Sequence, residues 1–211
     1  MKLVGNYLSP YVRRVAVSLN LLELPFTLDE IYVFKKPEVV RQFNPVVRIP
    51  VLVLDEGSSL VESSAILDEI DQIVGPERAL IPPSGNLRRT VMQIISTAIA
   101  CTEKAQWAFY EGRVRPAEKI HEPWIEHNES QVVGGFGYLN DLAEKCIDSG
   151  WIAGTEKISQ ADVTTVVAFS FADAVRPNLD LSKLYPELSK YAERCEALEE
   201  FTKAPLPKQI S

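Results

Sequence analysis

The sequence predicts an α/β domain followed by an all-α domain, and three observations carry that prediction. Strand and helix patterns alternate over the first part of the chain in the order β-α-β-α-β-β-α. Proline and glycine are then concentrated in a segment that is typical of a linker. Beyond this segment, apolar residues recur at helical spacing only. We therefore expect an α/β domain over residues 1–75, a linker over 76–86 and an all-helical domain over 87–211.

Short apolar runs bounded by turn residues predict the strands of the first domain, at residues 2–5, 25–31, 51–54 and 60–61. The first two strands enclose a helix, so they are expected to be parallel with a right-handed crossover. The last two form a hairpin whose Gly57 can take a positive φ, which adds an antiparallel edge.

Capping residues mark where the helices of this domain begin. Ser9 and Pro10 are an N-cap and a first-turn proline, and they open an amphipathic helix over residues 10–23. A short helix or turn follows over 37–43. The last helix is expected to begin at Ser63 or Ser64, with the serine oxygens accepting from first-turn amides.

The sequence predicts that the second domain is helical throughout. Its apolar residues keep helical spacing over two long segments, at 87–109 and 125–143. Ser159 and Asp162 then form the start of a capping box, with Asp where Glu or Gln is usual. The residues from 163 to 174 are nearly all small or apolar, so we expect this helix to be the buried centre of its domain. A further amphipathic helix covers 185–198.

Composition and charge restrict the function. The chain has 211 residues and a net charge of −7, which disfavours nucleic acid because phosphate binding needs a basic face. Residues 1–50 contain seven Lys and Arg against four Asp and Glu, so this section is +3 and the remainder is −10. A local cationic patch suits a small anionic ligand. Charges scattered over a solvated surface would give the same count.

Membrane and metal partners are not expected. No run approaches the roughly 20 apolar residues of a membrane span, and the first residues are too short an apolar run for a signal peptide, which favours the cytoplasm. Cys101, Cys146 and Cys195 lie far apart without a Cys-x-x-Cys pair, so we expect buried thiols and neither a disulfide framework nor a zinc site. His121 and His127 have no further ligand cluster near them.

Four motifs carry a resemblance to a known family. They are Ser9-Pro10-Tyr11-Val12-Arg13-Arg14-Val15, the segment from Asn44 to Leu52, the segment from Glu62 to Ile66, and Ser159-Gln160-Ala161-Asp162. In order and spacing they resemble the glutathione S-transferase superfamily, with greatest similarity to bacterial members and the plant tau class. The resemblance covers essentially the whole chain. It implies a thioredoxin-like first domain, an all-helical second domain and a homodimer.

The resemblance also implies roles for individual residues around glutathione. Ser9 falls on the residue whose hydroxyl hydrogen-bonds the glutathione sulfur. Ile49 and Pro50 fall on a loop whose cis peptide lets the Ile49 backbone pair with the cysteinyl backbone. Glu62 and Ser63 match the pair that holds the γ-glutamyl end.

Lys36 and Arg48 fall near the cations that meet the glycine carboxylate, although Arg48 stands where lysine is common. Glu69 occupies a position that is often tyrosine. Ordinary structural roles remain open for these residues: Lys36, Arg48 and Arg14 also fit solvated surface charges, and Glu62 and Ser63 fit a hairpin end and a helix cap.

Elementary energetics is consistent with the role of Ser9. Lowering a thiol pKa from about 8.5 by two units requires roughly 2.7 kcal/mol. A hydrogen bond to a charged group contributes about 1.5–3 kcal/mol, and a helix N-terminus about 0.3–1 kcal/mol more. Ser9 can therefore serve without a general base, as well as capping its helix. Tyr7 is the alternative sulfur donor, since other classes use a tyrosine at the end of the first strand.

These residues lead to three functional hypotheses. The first is a detoxification enzyme that conjugates the thiolate of glutathione to a small electrophilic apolar compound, with Trp107, Phe109, Tyr110 and Trp124 as pocket candidates that core packing explains equally well. The second is glutathione-dependent disulfide or peroxide reduction, which the absence of cysteine at position 9 disfavours. The third is a non-catalytic binding or regulatory protein on the same fold.

Overall fold

The computed structural model describes residues 1–146 and 150–207, and the parts of the predicted helical domain at 147–149 and 208–211 lie outside this range. The described residues form two compact units. Unit 1 consists of Met1–Pro83 together with residues 198–207, and unit 2 of Ser84–Ala197.

Unit 1 begins with the predicted order of strands and helices. Its elements are β1 (Lys2–Gly5), α1 (Pro10–Leu21), β2 (Thr27–Glu30), α2 (Pro37–Arg41), β3 (Val51–Val53), β4 (Ser59–Val61) and α3 (Ser63–Val74). The prediction of an α/β domain with the order β-α-β-α-β-β-α is confirmed. The second strand is shorter than predicted at both ends.

The four strands form one mixed sheet in the order β2-β1-β3-β4. β1 pairs with β2 in parallel, as a βαβ unit requires, and pairs with β3 in antiparallel orientation. Leu3 lies opposite Leu28 on one side and Leu52 on the other, and Leu52 lies opposite Leu60. Apolar side chains from β1 and β3, including the fully buried Val4 and Val51, form a core with α2.

Unit 2 is helical, as predicted. It consists of α4 (Gly85–Val114), α5 (Glu122–Glu144), α6 (Gln160–Val175), α7 (Leu181–Leu184) and α8 (Pro186–Glu196), with short 3-10 turns at Ala117–Lys119 and Pro177–Leu179. α6 is buried over most of its length, which confirms the predicted central helix. At its start the Asp162 carboxylate accepts from the backbone N–H of Ser159 at 2.7 Å and of Ile152 at 2.8 Å.

The end of the chain differs from the predicted domain extent. The helix α9 (Glu199–Thr202) and the residues after it belong to unit 1, whereas the sequence placed them in the helical domain. The physical reason is a pair of side-chain donors on α1. Arg13 Nε donates to the carbonyl of Ala204 at 2.8 Å, and Asn20 Nδ2 donates to the carbonyl of Glu200 at 2.9 Å. Hydrogen bonds across this sequence separation leave no periodic signal in the sequence.

Among residues 1–146 and 150–207, no helix combines the length and the apolar character that a bilayer span needs.

Candidate functional site

Ser9 lies at the start of α1, directly after the loop that follows β1. It is the N-cap residue, with φ −71° and ψ 117°, and its Oγ accepts from the N–H of Val12 at 3.4 Å. A hydroxyl carries one donor and two acceptor positions. Within the described residues the Ser9 proton is in no hydrogen bond, so capping leaves Ser9 able to donate to a further acceptor.

A buried asparagine fixes the loop in front of Ser9. Asn6 is 6% exposed; its Nδ2 donates to the carbonyl of Ile31 at 2.9 Å, and its Oδ1 accepts from the N–H of Leu8 at 3.2 Å. The Asn6 carbonyl in turn accepts from the Ser9 N–H at 3.1 Å. Asn6 was not predicted as a site residue, although an asparagine side chain commonly hydrogen-bonds the backbone two residues on and so stabilises a turn.

Gly5 allows the end of β1 to approach α1 closely. Its φ is +144°, and a Cβ at this position would lie 2.5 Å from Cγ2 of Val12 and 3.3 Å from Cβ of Ile49. Because a side chain does not fit, only glycine lets β1, α1 and the Ile49 loop meet in this arrangement. The loop of Ile49 is thus placed beside the segment that leads to Ser9.

The loop from residue 44 to residue 50 is built around a second buried asparagine. Asn44 is 5% exposed; its Nδ2 donates to the carbonyl of Arg48 at 2.9 Å, and its Oδ1 accepts from the N–H of Val46 at 3.0 Å. Val47 has a φ of +57°, which is unusual for a β-branched residue. The Ile49–Pro50 peptide bond is cis, as the resemblance implies.

Glu62 caps α3, and this corrects the expectation that the serine oxygens would do so. The helix begins at Ser63, but Oε1 of Glu62 accepts from the N–H of Ser64 at 3.3 Å and from Oγ of Ser63 at 3.0 Å. Glu62 has a φ of +72°, a backbone conformation that side chains disfavour and that tends to cluster at functional sites. Ser63 is 1% exposed.

Arg14 lies beneath this helix start, which corrects its interpretation as a solvated charge. It is 2% exposed, and its Nη2 donates to Oγ of Ser64 at 3.0 Å. Its Nε and Nη1 have no hydrogen-bond partner in the part of the chain that is described. Burial lowers the pKa of Arg14 to about 10, and the nearby carboxylate of Glu62 acts in the opposite direction. Arg14 therefore stays protonated at neutral pH, with two donors available to an anion.

Lys36 and Arg48, the two cations predicted near the glycine carboxylate, are not held in a fixed position by ion pairs within the described residues. The side chains of Lys36 and Arg48 are exposed, and neither forms an ion pair within the described residues. Lys36 is the residue before α2, and Arg48 belongs to the loop that Asn44 holds.

Tyr7 lies two residues after the end of β1. Its phenol is half-buried, and its pKa is raised by burial and further by the charge of Glu30 on β2. A raised pKa makes this phenol a weaker acid, and Tyr7 stays the alternative sulfur donor that the resemblance implies.

The four aromatic residues of the helical unit divide into two kinds. Trp107 is 56% exposed and Trp124 is 40% exposed, with its ring stacked on His127 at 5.6 Å. Phe109 and Tyr110 are partly buried, with ring centroids 5.8 Å apart. Core packing therefore does not account for the two tryptophans.

Family models match both parts of the chain. A glutathione S-transferase N-terminal domain model matches residues 3–78, and a glutathione S-transferase C-terminal domain model matches residues 118–199.

Curated relatives agree with the family models. Glutathione S-transferase U3 of Arabidopsis thaliana is 45% identical over 74 residues, which are 34% of this chain and 32% of the relative, so that match spans about a third of the relative's length. The uncharacterized GST-like protein YibF of Escherichia coli K12 is 25% identical over 210 residues, 99% of this chain and 100% of the relative.

Solved structures share the fold over the full length. A glutathione S-transferase of Methylobacterium radiotolerans in complex with glutathione sulfonate superposes with a TM-score of 0.87 at 25% identity, covering 100% of this chain and 97% of that one. A glutathione S-transferase of Methylobacillus flagellatus with GSH bound gives a TM-score of 0.87 at 27% identity, covering 96% and 98%. The chain belongs to the glutathione S-transferase superfamily, and its N-terminal part is similar to the tau class.

Proposed function

We propose that this protein conjugates the thiolate of glutathione to a small electrophilic apolar compound, with Ser9 stabilising the thiolate. The observation that carries the proposal is the placement of Ser9, which caps α1 while its proton remains available to the sulfur. Membership in the superfamily, together with one similar structure that has GSH bound and one in complex with glutathione sulfonate, supports glutathione as the ligand.

The start of α3 has the groups that would bind the γ-glutamyl end. The backbone N–H groups of a helix N-terminus favour a carboxylate, so Ser63 is assigned to the α-carboxylate of glutathione. Arg14 adds two buried donors of positive charge beside this position. Glu62 is assigned to the ammonium group of glutathione. Positive and negative groups at this helix start thus match both charges of the γ-glutamyl end.

The remainder of glutathione is assigned to the loop and to the surface cations. The backbone of Ile49, before Pro50, pairs with the cysteinyl backbone, while Lys36 and Arg48 attract the glycine carboxylate from solvent. Exposed charges contribute little individually because water and salt screen them. The affinity in this proposal therefore comes mainly from the helix start and the backbone.

Catalysis in this proposal consists of lowering the thiol pKa and positioning the sulfur. The proton leaves the thiol for solvent, and the Ser9 hydroxyl and the N-terminal end of α1 stabilise the thiolate. The sulfur then forms a bond to the electrophilic carbon. The electron pair of the bond that breaks goes to the leaving group, or to an adjacent atom that solvent protonates.

Neither alternative function gains support at the site. Disulfide exchange requires a protein thiolate, and position 9 is serine while all three cysteines lie in unit 2. A purely non-catalytic role would not use the available proton of Ser9. We also propose that the protein is a cytoplasmic homodimer that acts in detoxification, and the exposed apolar side chain of Val46 is consistent with a protein interface.

The test measures the pKa of the bound glutathione thiol together with conjugation rates for a panel of electrophiles, beside a disulfide and a hydroperoxide. Ser9→Ala is expected to raise the bound thiol pKa by about one to two units and, at saturating glutathione, to lower kcat/KM for the electrophile at neutral pH by about 10- to 100-fold. Tyr7→Phe is the matched control that removes the alternative hydroxyl and should leave both quantities near their original values. An unchanged thiol pKa in Ser9→Ala would contradict the assignment. Absence of glutathione binding at millimolar concentration would favour the regulatory alternative.

A further inference from the structure

The C-terminal segment of the described chain is fastened to α1 by two side chains on one face of that helix. We define the C-terminal strap as residues 198–207, which include α9. Arg13 Nε donates to the carbonyl of Ala204 at 2.8 Å, and Asn20 Nδ2 donates to the carbonyl of Glu200 at 2.9 Å. Arg13 and Asn20 are two helical turns apart, so they project from the same face.

The strap is held by burial as well as by these hydrogen bonds. Phe201 and Ala204 are both 0% exposed, and Arg13 is 1% exposed. A guanidinium with a buried backbone acceptor is fixed in position, because any movement leaves a charged donor without its partner in a dry environment. The strap therefore packs against α1 through both hydrogen bonds and buried side chains.

The contact with Ala204 lies one helical turn from the Ser9 hydroxyl. The N–H of Arg13 donates to the carbonyl of Ser9 at 2.9 Å, which closes the first turn of α1. On another face of the same turn, Val12 packs against Gly5 at the end of β1. The first turn of α1 is thus held between the sheet and the strap, and the position of the Ser9 oxygen depends on both.

We propose that the C-terminal strap positions Ser9 for thiolate stabilisation. Arg13 is the positioning residue, because it joins the strap to the first turn of α1. This inference rests on the proposed function, since it concerns the same hydroxyl. A hydrogen bond to a thiolate depends steeply on distance and angle, so a loosened first turn weakens it without removing any group that touches glutathione. The strap therefore affects the sulfur chemistry more than the affinity.

The experiment compares three variants that loosen the strap with one that does not. Phe201→Ala removes its buried anchor, Asn20→Ala removes one hydrogen bond, and Arg13→Lys keeps the charge but removes the Nε donor. Thr202→Ala is the control, because this side chain is exposed and donates only to the carbonyl of Glu199 within the strap. Each protein is checked for folding by circular dichroism before measurement.

We expect Phe201→Ala and Arg13→Lys to raise the bound thiol pKa by about half a unit to one unit. At saturating glutathione this lowers kcat/KM for the electrophile about three- to tenfold below the thiol pKa and leaves it unchanged at high pH. Asn20→Ala should act in the same direction more weakly, and it remains informative if the other two fail to fold. The glutathione Kd, measured at a pH well below the bound thiol pKa so that thiol ionisation does not contribute, should change less than twofold. A purely structural strap would lower thermal stability with no change in the thiol pKa, and that result would overturn the inference.

Ser9→Ala is measured in parallel to separate this inference from the proposed function. If Ser9→Ala shifts the thiol pKa and the strap variants do not, the strap inference fails alone. If Ser9→Ala has no effect, the proposed function fails and the inference fails with it.

Discussion

Burial separates the cations around the candidate site into two kinds with different expected behaviour. Arg14 is 2% exposed and is held by Ser64, whereas Lys36 and Arg48 extend into solvent. A charge in a dry environment interacts strongly with a ligand and is poorly screened by salt, while an exposed charge in water interacts weakly. The same formal charge at these positions therefore predicts different effects of substitution.

We predict that Arg48→Ala and Lys36→Ala each raise the glutathione Kd by up to about fivefold, since an exposed ion pair contributes about 0.2–1 kcal/mol. The effect should decrease as salt is added. Titration calorimetry at two salt concentrations measures it, and Arg41→Ala, another exposed cation at the end of α2, is the control. A large effect that salt does not change would contradict this assignment.

Arg14→Met should behave in the opposite way. Loss of charged donors at the γ-glutamyl end is expected to raise the glutathione Kd by about tenfold or more with little salt dependence. Because burial lowers the folded-state pKa of Arg14 to about 10, the unfolded chain binds this proton more tightly, and the charge opposes folding at every pH below 10. The unliganded variant should therefore keep its thermal midpoint. A lower midpoint with unchanged Kd would mean that Arg14 is structural only.

The thiols are predicted to differ in reactivity in the order of their burial. Burial raises the pKa of both Cys101 and Cys195 to about 12, and the pKa of the half-buried Cys146 is raised as well. A raised pKa means less thiolate, so native alkylation at pH 8 should be slow and should begin at Cys146. Mass spectrometry after limited iodoacetamide treatment identifies the order, and all three should react in denaturant. Equal native rates would contradict the burial argument.

Local pattern predicted Ser9 as the cap of α1, whereas the glutathione-site roles of Ser9, Glu62 and Ser63 came only from the resemblance of the motifs that contain them. Asn6, Asn44 and the burial of Arg14 were not predicted. Each depends on a partner that the fold brings close, namely the carbonyl of Ile31, a loop turned back on itself, and the start of α3. A sequence gives the chemical type of such residues but not their partners.

At the scale of whole helices, one glycine sets the contact of α4 with α5. Gly134 and Gly135 are adjacent in α5. α5 is unbroken. A Cβ at Gly135 would lie 2.2 Å from Sγ of Cys101 on α4, whereas a Cβ at Gly134 would meet nothing within 4 Å. The close contact is therefore made by one of the two glycines.

Gly135→Ala is expected to destabilise unit 2, since overpacking typically costs about 1–3 kcal/mol. Gly134→Ala should stabilise it by about 0.5–1 kcal/mol, because alanine is the better helix former and no neighbour is displaced. Urea unfolding followed by tryptophan fluorescence suits this test, since all three tryptophans lie in unit 2. Equal effects of the two substitutions would show that the contact does not constrain the helices.

The elements themselves were predictable where the pattern was local and strong. Parallel pairing of β1 with β2 follows from the βαβ rule. The burial of α6 follows from its small and apolar residues. The cap of α3 was not predictable, because Glu62 takes a positive φ that glutamate disfavours. The placement of α9 in unit 1 was also not predicted. In the local pattern, Arg13 and Asn20 are ordinary polar residues of an amphipathic helix, and nothing marks them as partners of α9.

For the whole molecule, ligand binding and folding are linked. A ligand that binds only the folded protein adds about 2.7 kcal/mol to the free energy of unfolding at one hundred times its Kd. The residues assigned to glutathione all lie in unit 1, so the increase in the free energy of unfolding is expected for the unit that contains the sheet. Calorimetric scans with increasing glutathione should therefore show a transition whose midpoint rises with the logarithm of concentration.

The dipeptide cysteinylglycine separates this effect from general stabilisation by thiols or carboxylates. It keeps the cysteine and glycine of glutathione but lacks the γ-glutamyl group that Arg14, Glu62 and Ser63 are proposed to bind. At the same concentration it should raise the midpoint far less than glutathione, and Arg14→Met should reduce the difference between the two ligands. If the dipeptide stabilises the protein as well as glutathione does, the start of α3 is not the γ-glutamyl site. In that case the positive φ of Glu62 and the buried charge of Arg14 require another explanation.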